Sequence, residues 1–333
     1  MSIKDTKLWN FFRKKKNVFL KRKNYRTAKK MKESKYEDYL IKRYKQFMNK
    51  YDYTKGKILS FDNPLTFSEK SQWLKLYDQD PRKPLYSDKY NVRDHIKTVL
   101  GDEYLNPIIS IDNKDFFTNP NELNFNKLPN SFVIKCNHGS HMNIVVKDKK
   151  LLSKKDIKRI KKQLHKWLNT DYTFVVGLET QYIGIKRGFY IEEYIKDFDS
   201  RDYKFLCFNG KCKYFWINED ATSKDGTTTV FDASTLAKAP FNLNLGFKKD
   251  ISNMELPSNI KEMIRIAEIL SEDFKFVRVD LYNIKGKILF GELTFNSAAG
   301  YDVPYPVEYD EYLGQFIKID YKERERIPCF KDK

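Results

Sequence analysis

Two carboxylates and a guanidinium recur within residues 277–294, and their spacing suggests chemistry. The segment alternates apolar and polar residues around Asn283-Ile284-Lys285-Gly286, which reads as a β-hairpin. A three-residue turn with Gly286 left-handed would pair Asn283 with Lys287, Asp280 with Phe290 and Arg278 with Glu292. Side chains alternate across a strand, so Arg278, Asp280, Phe290, Glu292 and Thr294 would share one face. Val277, Val279, Leu281, Leu289 and Leu293 would line the other, as core. Clustered carboxylates repel unless a cation joins them, and hard oxygen ligands suit Mg2+ bridging phosphates. An arginine beside them suits a transferring phosphoryl group. A surface salt bridge between Arg278 and Glu292 would leave the same pattern.

Other segments carry related signals. Lys135 ends an apolar strand over residues 131–136, just before a loop holding His138, Gly139, Ser140 and His141. A lysine there can reach a phosphate while the loop closes over it; an exposed strand-end lysine looks the same. Glu192-Glu193-Tyr194-Ile195 ends another apolar strand and precedes Asp197, Asp199 and Asp202. Edge backbone with nearby carboxylates could hold an adenine and a ribose, although any acidic loop reads similarly. His138 and His141 lack further ligands for a metal pair and suit phosphate or substrate contacts. Neither G-x-x-x-x-G-K-[ST] nor G-x-G-x-x-G occurs, so P-loop and Rossmann sites are unsupported. No Ser-His-Asp or Cys-His order stands out.

The elements that must position these residues follow from periodicity. Helices are predicted over residues 68–77 (Ser68 as N-cap), 87–101, 153–168 and 260–270. Strands are predicted over residues 104–111, 131–136, 143–147 and 188–195, with a hairpin over 203–217. That hairpin turns at Asn209-Gly210, which pairs Phe208 with Lys211 and Cys207 with Cys212 as two buried thiols. Residues 219–258 read as polar and irregular. Interspersed helices and hairpins make the chain α+β, or mixed α/β.

Composition sets the outer limits. The 333 residues are 41% apolar and 15% aromatic, enough for a sizeable core. No uncharged apolar run reaches the ~18–20 residues of a membrane span. The basic cluster at residues 13–16 follows apolar residues 8–12, the reverse of a secretory leader. The net charge is +18, of which residues 1–50 carry +14. This arm, read as a basic helix, interleaves aromatics with cations in residues 8–16. It suits an anionic membrane surface or a phosphate-rich polymer, and equally a solvated helix or an oligomer contact. A nucleic-acid role for the whole chain is not expected, because the basic excess stops where the body starts. Cys136, Cys207, Cys212 and Cys329 form no C-x-x-C pair, which points to a reducing, cytoplasmic setting.

Six phrases occur in order over residues 60–320: Phe67-Ser-Glu-Lys, Ser87-Asp-Lys-Tyr, Phe132-Val-Ile-Lys-Cys-Asn-His-Gly-Ser, Asp202-Tyr-Lys-Phe-Leu-Cys-Phe-Asn-Gly-Lys, Phe276-Val-Arg-Val-Asp-Leu-Tyr and Phe290-Gly-Glu-Leu-Thr-Phe. Together they resemble the TupA-like family of the ATP-grasp superfamily, named for teichuronopeptide biosynthesis. The resemblance implies an ATP-grasp fold with nucleotide held between two α+β lobes. After the arm (1–50) would come an N-terminal α/β lobe (51–128), a lid lobe (129–195) and a metal-binding lobe (196–322). It implies that Lys89 and Lys135 contact ATP phosphates and that residues 137–141, with His138, Gly139 and Ser140, form the lid. Glu192, Glu193 and the backbone at Tyr194 and Ile195 would hold adenine, and Asp202 the ribose. Lys204 would touch phosphate or substrate, Arg278 the transferred phosphoryl, and Asp280 and Glu292 would bind Mg2+. Many members place Asn two residues after the metal-binding Glu; here Thr294 stands there and Asn296 two further on, so the third ligand lies open between them.

The resemblance also implies carboxylate activation through an acylphosphate. The expected activity is an ATP- and Mg2+-dependent ligase joining an amino acid or amine to a sugar carboxylate, such as a uronic acid, in capsular or other cell-surface polysaccharide synthesis. Its glycan acceptor would be lipid-linked if the arm works at the inner membrane face. Alternatives are a sugar or glycan kinase on the same fold, and a glycosyltransferase using Asp197-Phe198-Asp199, which would leave Lys135 and Arg278 unexplained. A catalytically silent scaffold would not need the phosphate and metal positions.

Overall fold

The computed structural model describes residues 25–26, 28–50, 59–196, 201–219, 227–243, 248–249 and 254–320. The basic stretch 8–16, Asp197, Asp199 and Cys329 lie outside the described residues. In chain order the helices are α1 (Tyr36–Lys50), α2 (Phe67–Tyr77), α3 (Arg82–Ser87), α4 (Val92–Val99), α5 (Lys154–Leu168), α6 (Ile260–Ser271) and α7 (Glu308–Gly314). The strands are β1 (Phe116–Phe117), β2 (Phe132–Cys136), β3 (Asn143–Val146), β4 (Phe189–Glu193), β5 (Asp202–Phe208), β6 (Lys211–Glu219), β7 (Thr227–Asp232), β8 (Lys248–Lys249), β9 (Phe276–Ile284) and β10 (Lys287–Thr294). Mixed helices and largely antiparallel sheets make the fold α+β. Among the described residues no helix is long and apolar enough to cross a membrane.

The chain divides into two compact units. The first contains Pro84–His95 and Asn106–Lys196, together with Met1–Met31. Its antiparallel sheet has the order β1-β4-β2-β3. Strand β2 alternates strictly, with Phe132, Ile134 and Cys136 buried and Val133 and Lys135 on the opposite side. The buried side packs with Ile160, Leu164 and Trp167 of α5 in one core. Helix α5 opens on a capping box, in which Ser153 and Asp156 satisfy each other's backbone N–H.

The second unit contains Lys32–Lys83, Ile96–Leu105 and Asp197–Lys333. Its sheet runs β10-β9-β5-β6-β7-β8, antiparallel except for the β7–β8 pair. Phe205, Phe215 and Phe231 stack across β5, β6 and β7 at centroid distances of 5.5 and 5.2 Å. Helix α6 lies against β5, β6 and β9.

Several predicted elements hold, and others shift for identifiable reasons. The Asn209-Gly210 turn has both residues at positive φ, and Cys207 faces Cys212 as expected. Both thiols are free and buried, as is Cys136, whose thiol is pushed up to about 12 by burial. Helix α2 is capped by Thr66, not Ser68, because Thr66 has Glu69 at the third helical position to complete a capping box. Ser68 instead donates its N–H and Oγ to the Asp310 carboxylate at 2.9 and 2.6 Å. The helix predicted over 87–101 is confined to α4, Val92–Val99, with Lys89 in the turn that separates it from α3. That turn forms because the Asp88 carboxylate accepts the N–H groups of Tyr90 and Asn91. The strand predicted over 104–111 is reduced to isolated bridges, such as Ile108 to Glu192. The stretch read as irregular contains β7, a buried strand whose threonines disguise it: Thr228 and Thr229 are interior.

Candidate functional site

The second hairpin turns on two residues, Lys285 and Gly286, both at positive φ, so its register differs from the predicted one. Lys287 faces Ile284, and a bulge at Gly291 then resets the pairing so that Glu292 faces Asp280 and Thr294 faces Arg278. A Cβ at Gly291 would stand 2.8 Å from the Asp280 carbonyl oxygen, which explains the glycine. The two-residue turn, before the bulge, shifts two predicted partners by one residue: Leu289 faces Tyr282 and Phe290 faces Leu281, so Phe290 leaves the carboxylate face. Arg278, Asp280, Glu292 and Thr294 nevertheless share one face, and β5 adds Lys204 opposite Asp280.

Arg278 grips Asp280 with a two-pronged contact, Nε to Oδ1 at 2.6 Å and Nη2 to Oδ2 at 2.7 Å. It also donates to Ser297 Oγ at 2.7 Å, Thr294 Oγ1 at 3.1 Å and Glu292 Oε1 at 3.3 Å. Lys204 Nζ donates to Asp280 Oδ2 at 2.7 Å and lies 3.7 Å from Asp202. Ser297 Oγ in turn donates to the Asp302 carboxylate. Burial works against charge on Arg278, but Asp280 outweighs it and holds the guanidinium firmly protonated. Burial raises the Asp202 and Asp302 carboxyls above their ordinary value, with Lys204 and the Ser297 hydroxyl, respectively, opposing it first.

The donor set fits a hard divalent cation. Asp280 and Glu292 present carboxylate oxygens from facing positions, and Asp202 and Asp302 lie near enough to feel the same charges. Four carboxylates against the two cations Arg278 and Lys204 leave an excess of negative charge that a dication would balance. Among the described residues no three His, Cys, Asp or Glu side chains already converge as a metal cluster. Thr294 lies on the carboxylate face, 3.0 Å from Glu292, whereas Asn296 is buried at the start of the turn Ser297–Gly300.

The first unit assembles a second group. Lys135 Nζ lies 2.6 Å from Glu192 Oε2, and Glu192 is also held by Arg93 at 3.2 Å and Asn106 at 3.2 Å. The hydrogen-bonded ladder of β4 ends at Glu193, which is exposed. Among the described residues the backbone of Tyr194 and Ile195 has no hydrogen-bond partner. Lys89 Nζ donates to the Gly139 carbonyl at 2.8 Å, and its N–H to the Asn137 carbonyl at 2.9 Å. Gly139 stands at φ +80°, and a Cβ there would meet the Tyr172 ring at 2.3 Å. Ser140 is half-buried and His141 exposed.

His138 is buried inside this unit, so the loop does not present it outward. Nε2 lies 3.1 Å from the Trp167 carbonyl and Nδ1 3.2 Å from Asn137 Oδ1. Burial lowers its pKa to about 4, so the ring is neutral and its single N–H serves one of those oxygens. Below its ordinary value of 6.5 the unfolded chain takes up a proton that the folded chain refuses until about 4. Stability from this group is therefore present above pH 6.5 and lost as pH falls toward 4, by about 3 kcal/mol. Urea unfolding of His138→Gln, which cannot titrate, should show an acid loss smaller by about that amount.

Sequence reading found Lys89, Lys135, Glu192, Asp202, Lys204, Arg278, Asp280 and Glu292, which the structure gathers into one group in each unit. It missed Arg93, Asn106, Asp88, Ser297 and the anchoring role of Asn137, which carry no motif of their own.

A model of the family described as TupA-like ATPgrasp matches residues 69–318. No curated protein matches the chain. Among solved structures, D-alanine–D-alanine ligase from Bacillus anthracis complexed with ATP is 16% identical, over 72% of this chain and 63% of that one, with a TM-score of 0.40. The ATP-grasp ligase PsnB complexed with minimal precursor is 12% identical over 71% of this chain and 61% of its own, with a TM-score of 0.37. D-Alanine–D-alanine ligase from Helicobacter pylori is 15% identical over 75% and 69%, with a TM-score of 0.37. The chain thus spans less than two thirds of the length of the first two.

Proposed function

Because this chain belongs to the TupA-like ATP-grasp family, whose model spans residues 69–318, we propose that it is an ATP- and Mg2+-dependent carboxylate–amine ligase. Its substrates would be an amino acid or amine and a sugar carboxylate, such as a uronic acid, in cell-surface polysaccharide synthesis. The observation that carries the reading is the Arg278 fork on Asp280, flanked by Lys204, Glu292 and Thr294.

In this reading each unit has its own task. Lys89 and Lys135 meet phosphate oxygens, and Gly139 and Ser140 cover them. Glu192 is already fixed by Arg93 and Asn106, so the following backbone at Tyr194 and Ile195 is presented to the adenine edge in one orientation. Asp202 takes the ribose. Asp280 and Glu292 would hold Mg2+, which would supply neutralisation of phosphate oxygens. Arg278 stabilises the charge that develops as the terminal phosphoryl passes to a carboxylate oxygen and ADP leaves. The amine then attacks the activated carbonyl, the carbon–oxygen bond breaks, and phosphate departs. No protein nucleophile is needed, consistent with a sequence that has no catalytic triad. Residues 1–24 lie outside the described residues; we assign them to an anionic membrane surface at the inner leaflet, where the glycan acceptor would be lipid-linked.

Calorimetry with ATP and Mg2+ tests the nucleotide site. Wild type should bind ATP only with Mg2+; Lys135→Ala should lose binding and Glu292→Gln should weaken it. Incubation with ATP, glucuronate and an amino-acid panel should then yield ADP, phosphate and a new amide. ADP with a phosphorylated sugar and no free phosphate would identify a kinase instead. Absence of nucleotide binding in folded protein would overturn the reading.

A further inference from the structure

Glu292, Asp280, Lys204 and Trp216 form one row across β10, β9, β5 and β6, each directly opposite the next. Directly opposed residues share a face, so the indole stands on the side that carries the charged cluster. The Arg278 guanidinium carbon lies 5.5 Å from the Trp216 ring centre, within range of a cation–π contact. Lys204 separates Asp280 from the indole, so the tryptophan end of the row is bordered by cations.

Trp216 is 2% exposed, and among the described residues its indole N–H has no hydrogen-bond acceptor. An indole nitrogen can only donate, and buried donors are almost always paired. Two acceptor groups on this face are already engaged. Both Asp280 oxygens accept from Arg278 and Lys204, and Asn218 Oδ1, two residues along β6, accepts from Thr228 at 2.7 Å. A buried donor left over beside two cations calls for an anionic acceptor from outside the chain.

We infer that the Trp216 N–H is a third donor, with Lys204 and Arg278, for an oxyanion bound at this cluster. The oxyanion is either the acceptor's carboxylate or the terminal phosphate of the nucleotide. The inference rests on reading the cluster as a phosphoryl-transfer site, and assigns Trp216 to the recognition of the group that reacts there.

The test uses the full chain labelled with 15N at the tryptophan indoles, the Trp216 signal being assigned by its loss in Trp216→Phe. Inorganic phosphate, glucuronate, Mg–ADP and the Mg complex of the β,γ-imido analogue of ATP are added separately. The Trp216 indole proton should move downfield with at least one of them. A shift with the imido analogue and phosphate but not ADP places the terminal phosphate on the indole; a shift with glucuronate places the carboxylate there. Trp216→Phe keeps an aromatic ring against Arg278 and, in protein shown to be folded, should weaken that same ligand about ten- to hundredfold while ADP affinity stays unchanged. If the imido analogue and glucuronate bind by calorimetry while the indole proton stays put, Trp216 is an apolar wall and the inference alone falls. If no probe binds the folded wild type, the inference and the ligase reading fall together.

Discussion

Arg278→Met should be the most damaging single substitution in the second unit. The side chain removed makes the fork on Asp280 and reaches Ser297, Thr294 and Glu292. Its loss leaves Asp202, Asp280, Glu292 and Asp302 facing Lys204 as the one remaining cation of the group. Breaking one side of a buried ion pair costs about 3–5 kcal/mol, because the partner charge stays buried. Chemical denaturation at pH 7.5 should show a loss of that order. Added Mg2+ should restore part of it, since a dication replaces the missing positive charge where the carboxylates are. ADP formation should fall by about 10²–10³-fold, the usual cost of removing one group that stabilises developing oxyanion charge. Arg278→Lys separates the two effects. It keeps the charge but not the planar fork, so stability should recover further than activity does. Equal recovery of both, measured on the same preparation, would show that Arg278 acts as a point charge and not through its geometry.

The contrast between the two hairpins shows how much of this was legible. At 203–217, Asn209-Gly210 names its own two-residue turn, and the register follows for Phe208–Lys211 and Cys207–Cys212 before a bulge shifts it by one, so that Leu206 faces Tyr214. At 277–294, Lys285-Gly286 does the same job without the asparagine, and a glycine bulge further along compensates for the register difference. The chemical face came through because Asp280, Arg278 and Glu292 stay on one side in either register; the partners of Leu289 and Phe290 moved by one residue because the two-residue turn sets them and the bulge restores the register only beyond them. The family phrases located the charged side chains but not their supports. Ser297, Arg93 and Asn106 reach their partners from loops or from a helix far away in sequence, and no local period marks them. Strand β7 was hidden for a different reason: its threonines look like loop residues until Thr228 is seen to satisfy its hydroxyl on Asn218 in the interior.

Asn137 is the corresponding hidden support in the first unit, and Asn137→Ala should cost about 2–4 kcal/mol of stability. The side chain is fully buried. Its amide donates to Asp88 Oδ2 at 2.7 Å and to the Lys186 carbonyl at 2.9 Å, while its oxygen accepts the Gly188 N–H at 2.8 Å. Alanine would leave that N–H and the Lys186 carbonyl without these partners in the interior. The same residue's carbonyl accepts the Lys89 N–H, and Lys89 Nζ holds the Gly139 carbonyl, so the glycine loop and the phosphate lysine lose their common anchor. ATP affinity should therefore fall along with stability, although Asn137 touches no nucleotide in the proposed site. Asn137→Asp gives a sharper test. It conserves shape but sets a second carboxylate against Asp88, whose pKa burial already raises despite the donated N–H groups. One proton shared between the two would relieve the repulsion. The folded state then binds more protons than the unfolded chain, so stability must rise as pH falls from 8 toward 5. A urea series across that range should find Asn137→Asp recovering toward wild type in acid while Asn137→Ala stays at a constant deficit. Parallel behaviour of the two variants would mean that the Asn137–Asp88 contact does not hold the loop.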